Sequence, residues 1–428
     1  MYNQGLFCMP EGVDLGEHVI ATYFIETKAT TDILRLASSI AIEQTTGTWL
    51  PVPEETPELR RRHAGKVVAI YEAPFYEFEV PSNIETRKYV VQIAFPEVNF
   101  GAQIPMLLST VIGNISMMGR IKLLDLKFPE RFVKDFKGPK FGIQGIRKIL
   151  DISKRPLLNN MIKPCTGFPA EVGARLFYKV AVGGVDIIKD DELLADPPFC
   201  PLEERVRKYM EAADRAYEET SEKTLYTANI TDRVDKIIGN AEKAIDAGAN
   251  ALMLNYLTVG ISALRSLAED PSIKVPILAH LDFAGTMYES PFSGMSSTLI
   301  LGKLPRLAGA DVVVYPNPYA KFSFLRERHI QIAQALRNSF YSIDPAFPMP
   351  GGGIHPGMVP TIVGDLGSDC VIGAGGAIHG HPMGPTAGAK AFRQAINAIM
   401  EGVSLQDAAR ENTELKSAID LWGIYKID

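Results

Sequence analysis

The sequence contains no long apolar run and few cysteines. No segment approaches the roughly 20 consecutive apolar residues that cross a bilayer, and the opening MYNQGLFCMPEGVDLGEH lacks the basic and apolar segments of a secretory signal. We therefore expect a cytoplasmic protein with no membrane partner. The four cysteines, Cys8, Cys165, Cys200 and Cys370, form no C-x-x-C pair, so neither a zinc knuckle nor a disulfide framework is indicated.

An excess of positive charge is also absent. The formal net charge is −6 at pH 7, and 46% of the residues are hydrophobic. A surface of this sign does not attract nucleic acid or anionic lipid, so a small molecule is the better candidate for a ligand. At 428 residues the chain exceeds the roughly 250–300 residues at which single cores stop growing, which predicts two domains.

Strand-like segments with few helices occupy the first 145 residues. Apolar residues favour strands in HVIATYFIET, GKVVAIYEAP, RKYVVQIAFP and RIKLLDLKFP, whereas TTDILRLASSIAIEQ has helical spacing. This pattern predicts an N-terminal α+β domain over residues 1–145, built on an antiparallel sheet.

Short apolar segments then recur about every 25–40 residues, with helical patterns between most of them. The eight segments are PLLNNMIKP, GVDIIKDD, TLYTANIT, NALMLNYL, KVPILAHLD, ADVVVYPNP, AFPMPGGG and DCVIGAGG. Strand and helix alternating eight times predicts a (β/α)₈ barrel over residues 146–428. AFPMPGGG is the least strand-like segment, because proline cannot donate to a central sheet.

Polar residues and glycines concentrate at the ends of these strands, where barrels of this type build their active sites. The segment GGVDIIKDDE, residues 183–192, runs directly into adjacent carboxylates, which repel one another unless a cation or a proton relieves them. Mg²⁺ accepts two carboxylates together with water and substrate oxygens. A carbamate formed from Lys189 and CO₂ would supply a third anionic oxygen, whereas an unmodified Lys189 would form a structural salt bridge; both interpretations fit the spacing.

Two glycine-rich segments, PGGGIHPGM and GAGGAIHGHPMG, close the last two strands. The loops after strands seven and eight of such barrels often hold phosphate, because glycine lets backbone N–H groups approach the anion. Ordinary turns would also account for the glycines, but their position favours a phosphate site.

Other reactive side chains have less specific surroundings. His280, which ends VPILAH, is either a general acid or base, a substrate ligand, or a hydrogen-bonded structural residue. We expect His355, His379 and His381 to shape the glycine loops rather than to bind a metal. Cys165 has no assignable histidine or asparagine partner, which favours a packing role over a nucleophilic one.

These segments resemble landmarks of the RuBisCO large-subunit superfamily, in the same order over nearly the whole chain. GGVDIIKDDE is similar to its activation motif, and the further matches are EQTTGTW, NMIKP, TLYTANIT, GGGIHPGMVP and GGAIHGHPMGPTAGA. The resemblance is closest to the non-carboxylating RuBisCO-like proteins of form IV, especially to 2,3-diketo-5-methylthiopentyl 1-phosphate enolases. It implies a (β/α)₈ barrel that follows a ferredoxin-like α+β domain.

The resemblance also implies roles for the matching residues. Lys189 would be the carbamylated lysine, with Asp191 and Glu192 as Mg²⁺ ligands, Lys163 as a catalytic lysine and His280 as a substrate-contacting histidine. One phosphate would be held by Thr48, Trp49, Gly352, Gly353, Gly375 and Gly376. Because this family forms its site between the N-terminal domain of one subunit and the barrel of another, a homodimer or larger assembly is implied.

Departures from the family pattern restrict the reaction. Cys165 stands where RuBisCO has a second lysine, and YPNPYAKFSF has no clear counterpart of the mobile-loop lysine that handles CO₂, so carboxylation is not expected. Leu281 replaces an arginine and VVVYP lacks a histidine that together bind a second phosphate, which predicts a substrate with one phosphate. Asn114 stands where the enolases carry their proton-abstracting lysine, and an amide cannot act as a general base.

Two reactions are compatible with Asn114. In a methionine-salvage enolase, Lys163 or the Lys189 carbamate would take the proton; in a decarboxylase of the 3-oxo-isoapionate 4-phosphate type, loss of CO₂ needs no C–H abstraction. The sequence thus predicts a Mg²⁺-dependent lyase or isomerase that generates a metal-bound enolate from a monophosphorylated keto sugar or keto sugar acid. A catalytically inactive regulatory or stress protein is the alternative class, and ribulose-bisphosphate carboxylase is the least favoured activity.

Overall fold

The structure is a computed structural model that describes residues 4–47, 52–322 and 324–426. It divides into two compact units, one of residues 1–136 with 283–300 and the other of residues 137–282 with 301–428. The domain boundary predicted between residues 145 and 146 stays a prediction. No helix in the described ranges combines the length and the hydropathy that a membrane span requires.

Thirteen strands are formed by the described residues. They are β1 (His18–Lys28), β2 (Lys66–Glu72), β3 (Thr86–Pro96), β4 (Ile121–Lys127), β5 (Leu157–Met161), β6 (Ile187–Lys189), β7 (Leu225–Asn229), β8 (Ala251–Leu254), β9 (Ile277–Ala279), β10 (Gly294–Met295), β11 (Val312–Pro316), β12 (Phe347–Gly351) and β13 (Val371–Ala374).

The same residues form eighteen α-helices. They are α1 (Ile33–Glu43), α2 (Pro57–His63), α3 (Ile104–Ile112), α4 (Glu130–Val133), α5 (Gly142–Leu150), α6 (Ala170–Val182), α7 (Leu202–Thr220), α8 (Ile237–Asp246), α9 (Tyr256–Val259), α10 (Ile261–Glu269), α11 (Gly285–Tyr288), α12 (Leu304–Leu307), α13 (Arg326–Arg337), α14 (Val359–Leu366), α15 (Gly376–His379), α16 (Pro385–Met400), α17 (Leu405–Glu411) and α18 (Thr413–Trp422).

The first unit contains a mixed sheet of five strands in the order β10-β4-β1-β3-β2. Strands β1 to β4 pair antiparallel and the short β10 pairs parallel with β4, which confirms the four strands predicted in this region. Alternate residues of β1 are almost fully buried, namely Val19, Ala21, Tyr23 and Ile25. The predicted helix is α1, and its N-terminus is capped by the Asp32 carboxylate, which accepts two backbone N–H groups.

The second unit is a closed barrel of eight parallel strands in the order β11-β12-β13-β5-β6-β7-β8-β9. All eight strands predicted from the apolar segments are confirmed. Inward-facing side chains of the strands form one core with residues of α5, including Leu157, Ile187, Leu225, Met253, Val314, Met349, Ile143, Ile146 and Leu150. The C-terminal strand ends therefore meet at one opening, which we call the barrel mouth.

Strand β12 accommodates its two prolines by giving up donors on one side only. It pairs with β11 over five residues but with β13 only where Gly351 faces Gly373. The Phe347 N–H donates towards β11, and successive N–H groups of a strand point to opposite neighbours. Pro348 and Pro350 therefore lack the donors that would face β13, which explains why a proline-rich segment is tolerated inside the barrel.

Asp311, directly before β11, ties helix α5 to the barrel. Its buried carboxylate accepts the backbone N–H groups of Phe141 and Gly142, both at 2.7 Å, and of Ile277 at 2.8 Å. Burial raises the pKa of Asp311 to about 6, although the three backbone hydrogen bonds act in the opposite direction. The proton is therefore bound more tightly in the folded chain than in the unfolded one.

We expect the stability of the protein relative to an Asp311→Asn variant to fall as the pH rises from 4 to 7. The folded pKa of about 6 lies above the roughly 3.9 of an unfolded aspartate, so the contribution is complete below that value and is lost as the pH passes the folded pKa. Urea unfolding of both proteins at several pH values measures the difference, in which titrations elsewhere cancel. A difference that does not change with pH would contradict the raised pKa.

Candidate active site

The end of β6 separates the charged residues of the KDDE segment onto two sides. Lys189 is completely buried at the barrel mouth, and Asp191 follows it two residues later, 1% exposed. Successive strand residues point to opposite faces, so Asp190 points away from the mouth and pairs with the buried Arg205 of α7 at 3.1 Å. Glu192 follows in a turn beyond the strand, and its carboxylate lies beside Lys189 and His280, so the carboxylates of Asp191 and Glu192 are the two that belong to the mouth.

Each of these two carboxylates is paired with a lysine. Lys163 Nζ lies 2.6 Å from Asp191 Oδ2, and Lys189 Nζ lies 3.1 Å from Glu192 Oε2 and 2.7 Å from the carbonyl oxygen of Asp190. Burial alone would lower the pKa of Lys163, but its hydrogen bonds to Asp191 and to Cys165 Sγ outweigh burial and raise it. Lys163 is therefore an ammonium group in this arrangement.

His280, at the end of β9, joins the same group through Glu192. Its Nε2 lies 3.3 Å from Glu192 Oε2, and its Nδ1 accepts the backbone N–H of Asp282, which assigns the ring proton to Nε2. Burial, together with the positive charge of Lys189, lowers the pKa of His280 to about 3, so the imidazole is neutral near pH 7. Burial works against ionisation of Glu192 as well, but Lys189 and His280 lower its pKa to about 2.

Two asparagines hold the backbone of the proposed metal ligands. Asn229 Nδ2, at the end of β7, donates to the carbonyl oxygens of Asp191 and Glu192, both at 3.3 Å. Asn255 Nδ2, after β8, donates to the Glu192 carbonyl oxygen at 3.0 Å. Asn229 and Asn255 end the apolar segments TLYTAN and NALMLN, and a polar residue at the end of a buried strand is the signal by which the sequence could have indicated them.

The two predicted glycine loops follow β12 and β13 at the barrel mouth. Gly352 and Gly353 have φ angles of +97° and +79°, which favour glycine. A Cβ atom at these positions would lie 2.9 Å from the Phe322 ring and 2.8 Å from the Ala320 Cβ. A Cβ at Gly375 would lie 3.2 Å from Lys163 Cε, whereas one at Gly376 meets no other atom within 4 Å. The loop after β11 thus lies on the first glycine pair, and Lys163 borders the second.

Comparison with known proteins identifies the fold and the family together. The family model for the ribulose bisphosphate carboxylase large chain matches with its N-terminal domain at residues 12–132 and with its catalytic domain at residues 142–422. The chain belongs to the RuBisCO large-chain family. It is a RuBisCO-like protein of form IV, similar in sequence to the 2,3-diketo-5-methylthiopentyl-1-phosphate enolases. This result confirms the resemblance found in the sequence.

Relatives match over nearly the whole chain. A ribulose bisphosphate carboxylase-like protein of Archaeoglobus fulgidus is 57% identical over 96% of this chain and 95% of its own. The 2,3-diketo-5-methylthiopentyl-1-phosphate enolase of Geobacillus kaustophilus is 42% identical over 96% and 99%. The solved octameric RuBisCO of Pyrococcus horikoshii is 31% identical, with a TM-score of 0.90 over 100% of this chain and 98% of that one.

The donor set around Lys189 suits Mg²⁺ only if the lysine is modified. In the part of the chain that the structure describes, no three His, Cys, Asp or Glu side chains are grouped to hold a metal. Asp191 and Glu192 supply two hard oxygen donors, but each carries a lysine as its counter-charge. A carbamate on Lys189 would replace the positive charge by a third hard oxygen donor beside Glu192, which is the ligand chemistry that Mg²⁺ prefers. The residues therefore fit a carbamate-supported cation.

The other histidines singled out in the sequence lie around the glycine loops and have separate partners. His379 Nε2 lies 3.1 Å from Asn160 Oδ1, and His381 Nε2 lies 3.0 Å from the carbonyl oxygen of Glu414. The rings of His355 and His381 both lie against Trp422 of α18, with centroids 6.1 and 6.3 Å away.

Three residues predicted for the N-terminal part of the site remain. Thr48 and Trp49 lie outside the described residues. Asn114, in the first unit, donates from Nδ2 to Glu43 Oε1 at 3.0 Å. Its side chain is therefore an amide donor to a carboxylate and supplies no base.

Proposed function

We propose that this protein is a non-carboxylating, Mg²⁺-dependent enzyme that forms an enolate from a small keto compound with one phosphate group, and that enolisation is its reaction. The observation that carries the proposal is the position of Lys163, 2.6 Å from the proposed metal ligand Asp191. A lysine beside the metal ligands can replace the base that Asn114 cannot supply. The 42% identity to an enolase over 96% of the chain supports the same reaction.

Mg²⁺ would be held by a carbamate on Lys189 together with Asp191 and Glu192, and it would stabilise the negative charge that develops on the substrate oxygen. Lys163 would carry the transferred proton: on leaving Asp191, its ammonium group would release a proton to solvent water, and the neutral amine would then accept the substrate C–H proton. His280 presents a neutral ring with the proton on Nε2, which suits a hydrogen bond to a substrate oxygen.

The phosphate would be bound by Gly352, Gly353, Gly375 and Gly376, with Thr48 and Trp49 as further contacts. Leu281 supports a substrate with a single phosphate, because it is a partly buried side chain that packs against the apolar core of the barrel. It offers no charge to a second phosphate, and a dianion placed there would be poorly solvated.

Decarboxylation of a β-keto acid is the second candidate, and the Asn114–Glu43 hydrogen bond favours it. Asn114 donates to the Glu43 carboxylate, so neither an amine nor an imidazole stands at this position. Loss of CO₂ generates the enolate without removal of a C–H proton. In that case Lys163 would only return a proton to the product carbon.

We further propose a cytoplasmic homodimer or larger assembly with sites shared between subunits. The octameric state of the Pyrococcus horikoshii relative supports self-association. The resemblance assigns Thr48 and Trp49 to phosphate, although about 100 residues of sequence separate them from the predicted start of the barrel at residue 146. Formation of the site between subunits would account for this assignment.

Proton exchange in D₂O separates the two reactions. With Mg²⁺ and bicarbonate, we expect 2,3-diketo-5-methylthiopentyl 1-phosphate to exchange the proton next to its keto group, followed by ¹H NMR, and we expect Lys163→Met to abolish the exchange. Release of CO₂ from 3-oxo-isoapionate 4-phosphate, without exchange of the first compound, would instead establish the decarboxylase. Carbon fixation onto ribulose bisphosphate would contradict both.

The thermal midpoint should rise only when Mg²⁺ and bicarbonate are present together. A ligand that binds the folded state at 100 times its Kd adds about 2.7 kcal/mol to the unfolding free energy. Lys189→Met, which cannot form a carbamate, should lose the shift, whereas Lys154→Met removes the same charge ahead of β5 and should keep it. A wild-type protein with no shift would favour a catalytically inactive regulatory protein.

Replacement of Lys163 should strengthen metal binding while it removes activity. In Lys163→Met the ammonium group no longer competes for Asp191 Oδ2, so the Mn²⁺ dissociation constant in bicarbonate should fall several-fold. Turnover should decrease by at least about 100-fold, as expected for loss of a proton-transfer group. Equilibrium titration by electron paramagnetic resonance measures the first effect, and Lys154→Met again serves as the charge control. Weaker binding in the variant would show that Lys163 helps to hold the cation.

A further inference from the structure

A buried ion pair lies directly behind the proposed metal ligands. The Arg205 side chain is completely buried in α7, and the Asp190 side chain is 1% exposed. Arg205 Nε donates to Asp190 Oδ2 at 3.2 Å, and Arg205 Nη2 lies 3.1 Å from the same oxygen. Burial opposes the charge on either group, yet the mutual attraction keeps the pKa of Arg205 well above its ordinary value.

Arg205 also fixes the segment that follows the ligands. Its Nη1 donates to the carbonyl oxygen of Cys200 at 2.8 Å, and its Nη2 donates to the carbonyl oxygen of Ala195 at 2.5 Å. A single guanidinium group therefore joins the end of β6 to residues 195–200, the loop that leads from the ligands into α7.

Asp190 is connected to the proposed metal ligands through residues of β7. Its Oδ2 accepts the backbone N–H of Asn229 at 2.9 Å, and the Tyr226 hydroxyl donates to the same carboxylate at 2.9 Å. The Asn229 side chain then donates to the backbone carbonyls of Asp191 and Glu192. Hydrogen bonds through Asn229 thus connect the Asp190 side chain to the backbone of Asp191 and Glu192, the two residues proposed to bind the cation.

Stability alone is a weak reason for such a pair. Buried ion pairs are often no more stabilising than apolar side chains of similar volume, because both charges lose their hydration. Asp190 lies between Lys189 and Asp191 in the sequence, so the pair is placed where it can orient the neighbouring side chains. We propose that Arg205 is a positioning residue that, through Asp190 and Asn229, sets the orientation of Asp191 and Glu192 for a divalent cation.

The inference rests on the proposed cation site, and the test is designed around a matched control. Arg306 is also a buried arginine of the barrel unit, 1% exposed, but its hydrogen-bond acceptors among the described residues are backbone carbonyl oxygens, those of Asp344, Ala335, Asn338 and Ile343. Arg205→Lys and Arg306→Lys therefore make the same chemical change at a buried guanidinium. Asp190→Asn removes the negative charge of the pair but keeps the shape of the side chain and one acceptor oxygen.

The measurement is the Mn²⁺ dissociation constant of the full chain in saturating bicarbonate, beside the urea unfolding free energy. We expect both arginine variants to lower the unfolding free energy. Only Arg205→Lys and Asp190→Asn should weaken Mn²⁺ binding, by about 10-fold or more, the range found for groups that orient metal ligands.

Each outcome decides between two statements. Suppose that the wild type binds Mn²⁺ and that the dissociation constants of Arg205→Lys and Asp190→Asn lie within twofold of the wild-type value. This result would overturn the positioning role but leave the proposed function intact. Equal weakening in Arg306→Lys would also overturn it, because the effect would then come from stability. If the wild-type protein binds no Mn²⁺ in bicarbonate, the proposed cation site is wrong and the inference fails with it. Should Arg205→Lys not fold, the comparison of Asp190→Asn with wild type decides alone.

Discussion

The buried ammonium group of Lys189 determines the electrostatics of the barrel mouth. A charge without access to water must be balanced by nearby groups, and Glu192 and the Asp190 carbonyl provide that balance here. The Glu192 carboxylate in turn remains ionised, because Lys189 and His280 lower its pKa. Carbamylation of Lys189 would reverse the sign at the centre of this arrangement and leave the carbamate and Glu192 without a counter-charge. The same residues would then form a cation-binding site instead of an internally neutralised one.

The two-residue period of a strand gives the KDDE segment two functions at once. Lys189 and Asp191 point into the mouth, and Asp190 points back to Arg205 and β7. A helical segment would not separate neighbouring carboxylates in this way, because residues i and i+1 diverge by only about 100°. Asn229 connects the two sides, since its backbone is held by Asp190 and its side chain holds the ligands. The packing behind the strand is thus linked by hydrogen bonds to the backbone of Asp191 and Glu192 at the mouth.

Much of this architecture could be predicted from the sequence. Parallel barrel strands are buried on both faces, so they occur as continuous apolar segments that are easy to recognise, and their polar ends marked the mouth. The doubt over AFPMPGGG was resolved by a directional effect: the missing proline donors all face one neighbour. Which neighbouring strand each N–H of β12 faces depends on the pairing of β12 with β11 and β13. The sequence does not specify this pairing.

The partner of Asp190 was missed, although the sequence carried a signal. The buried positions of α7 include Leu202, Arg205, Val206 and Tyr209, so an arginine stands on the apolar face of an amphipathic helix. Such a residue needs a buried counter-charge, but periodicity cannot say which carboxylate provides it. Asn229 and Asn255 were missed for a related reason, because they donate to backbone oxygens of the segment that follows β6, and no side-chain pattern records that contact. Thr48 and Trp49 lie outside the described residues and stay predictions.

The position of Lys163 connects loading of the site to its chemistry. While its ammonium group is bound to Asp191 it can neither accept a proton nor approach a substrate. On the proposed function, a cation bound at Asp191 would displace this ammonium group, and the separation would also remove the hydrogen bond that raises the pKa of Lys163. The event that completes the proposed cation site would therefore also free the proposed base. With Asn114 in place of the usual lysine, this coupling would make the base competent only when the oxyanion can be stabilised.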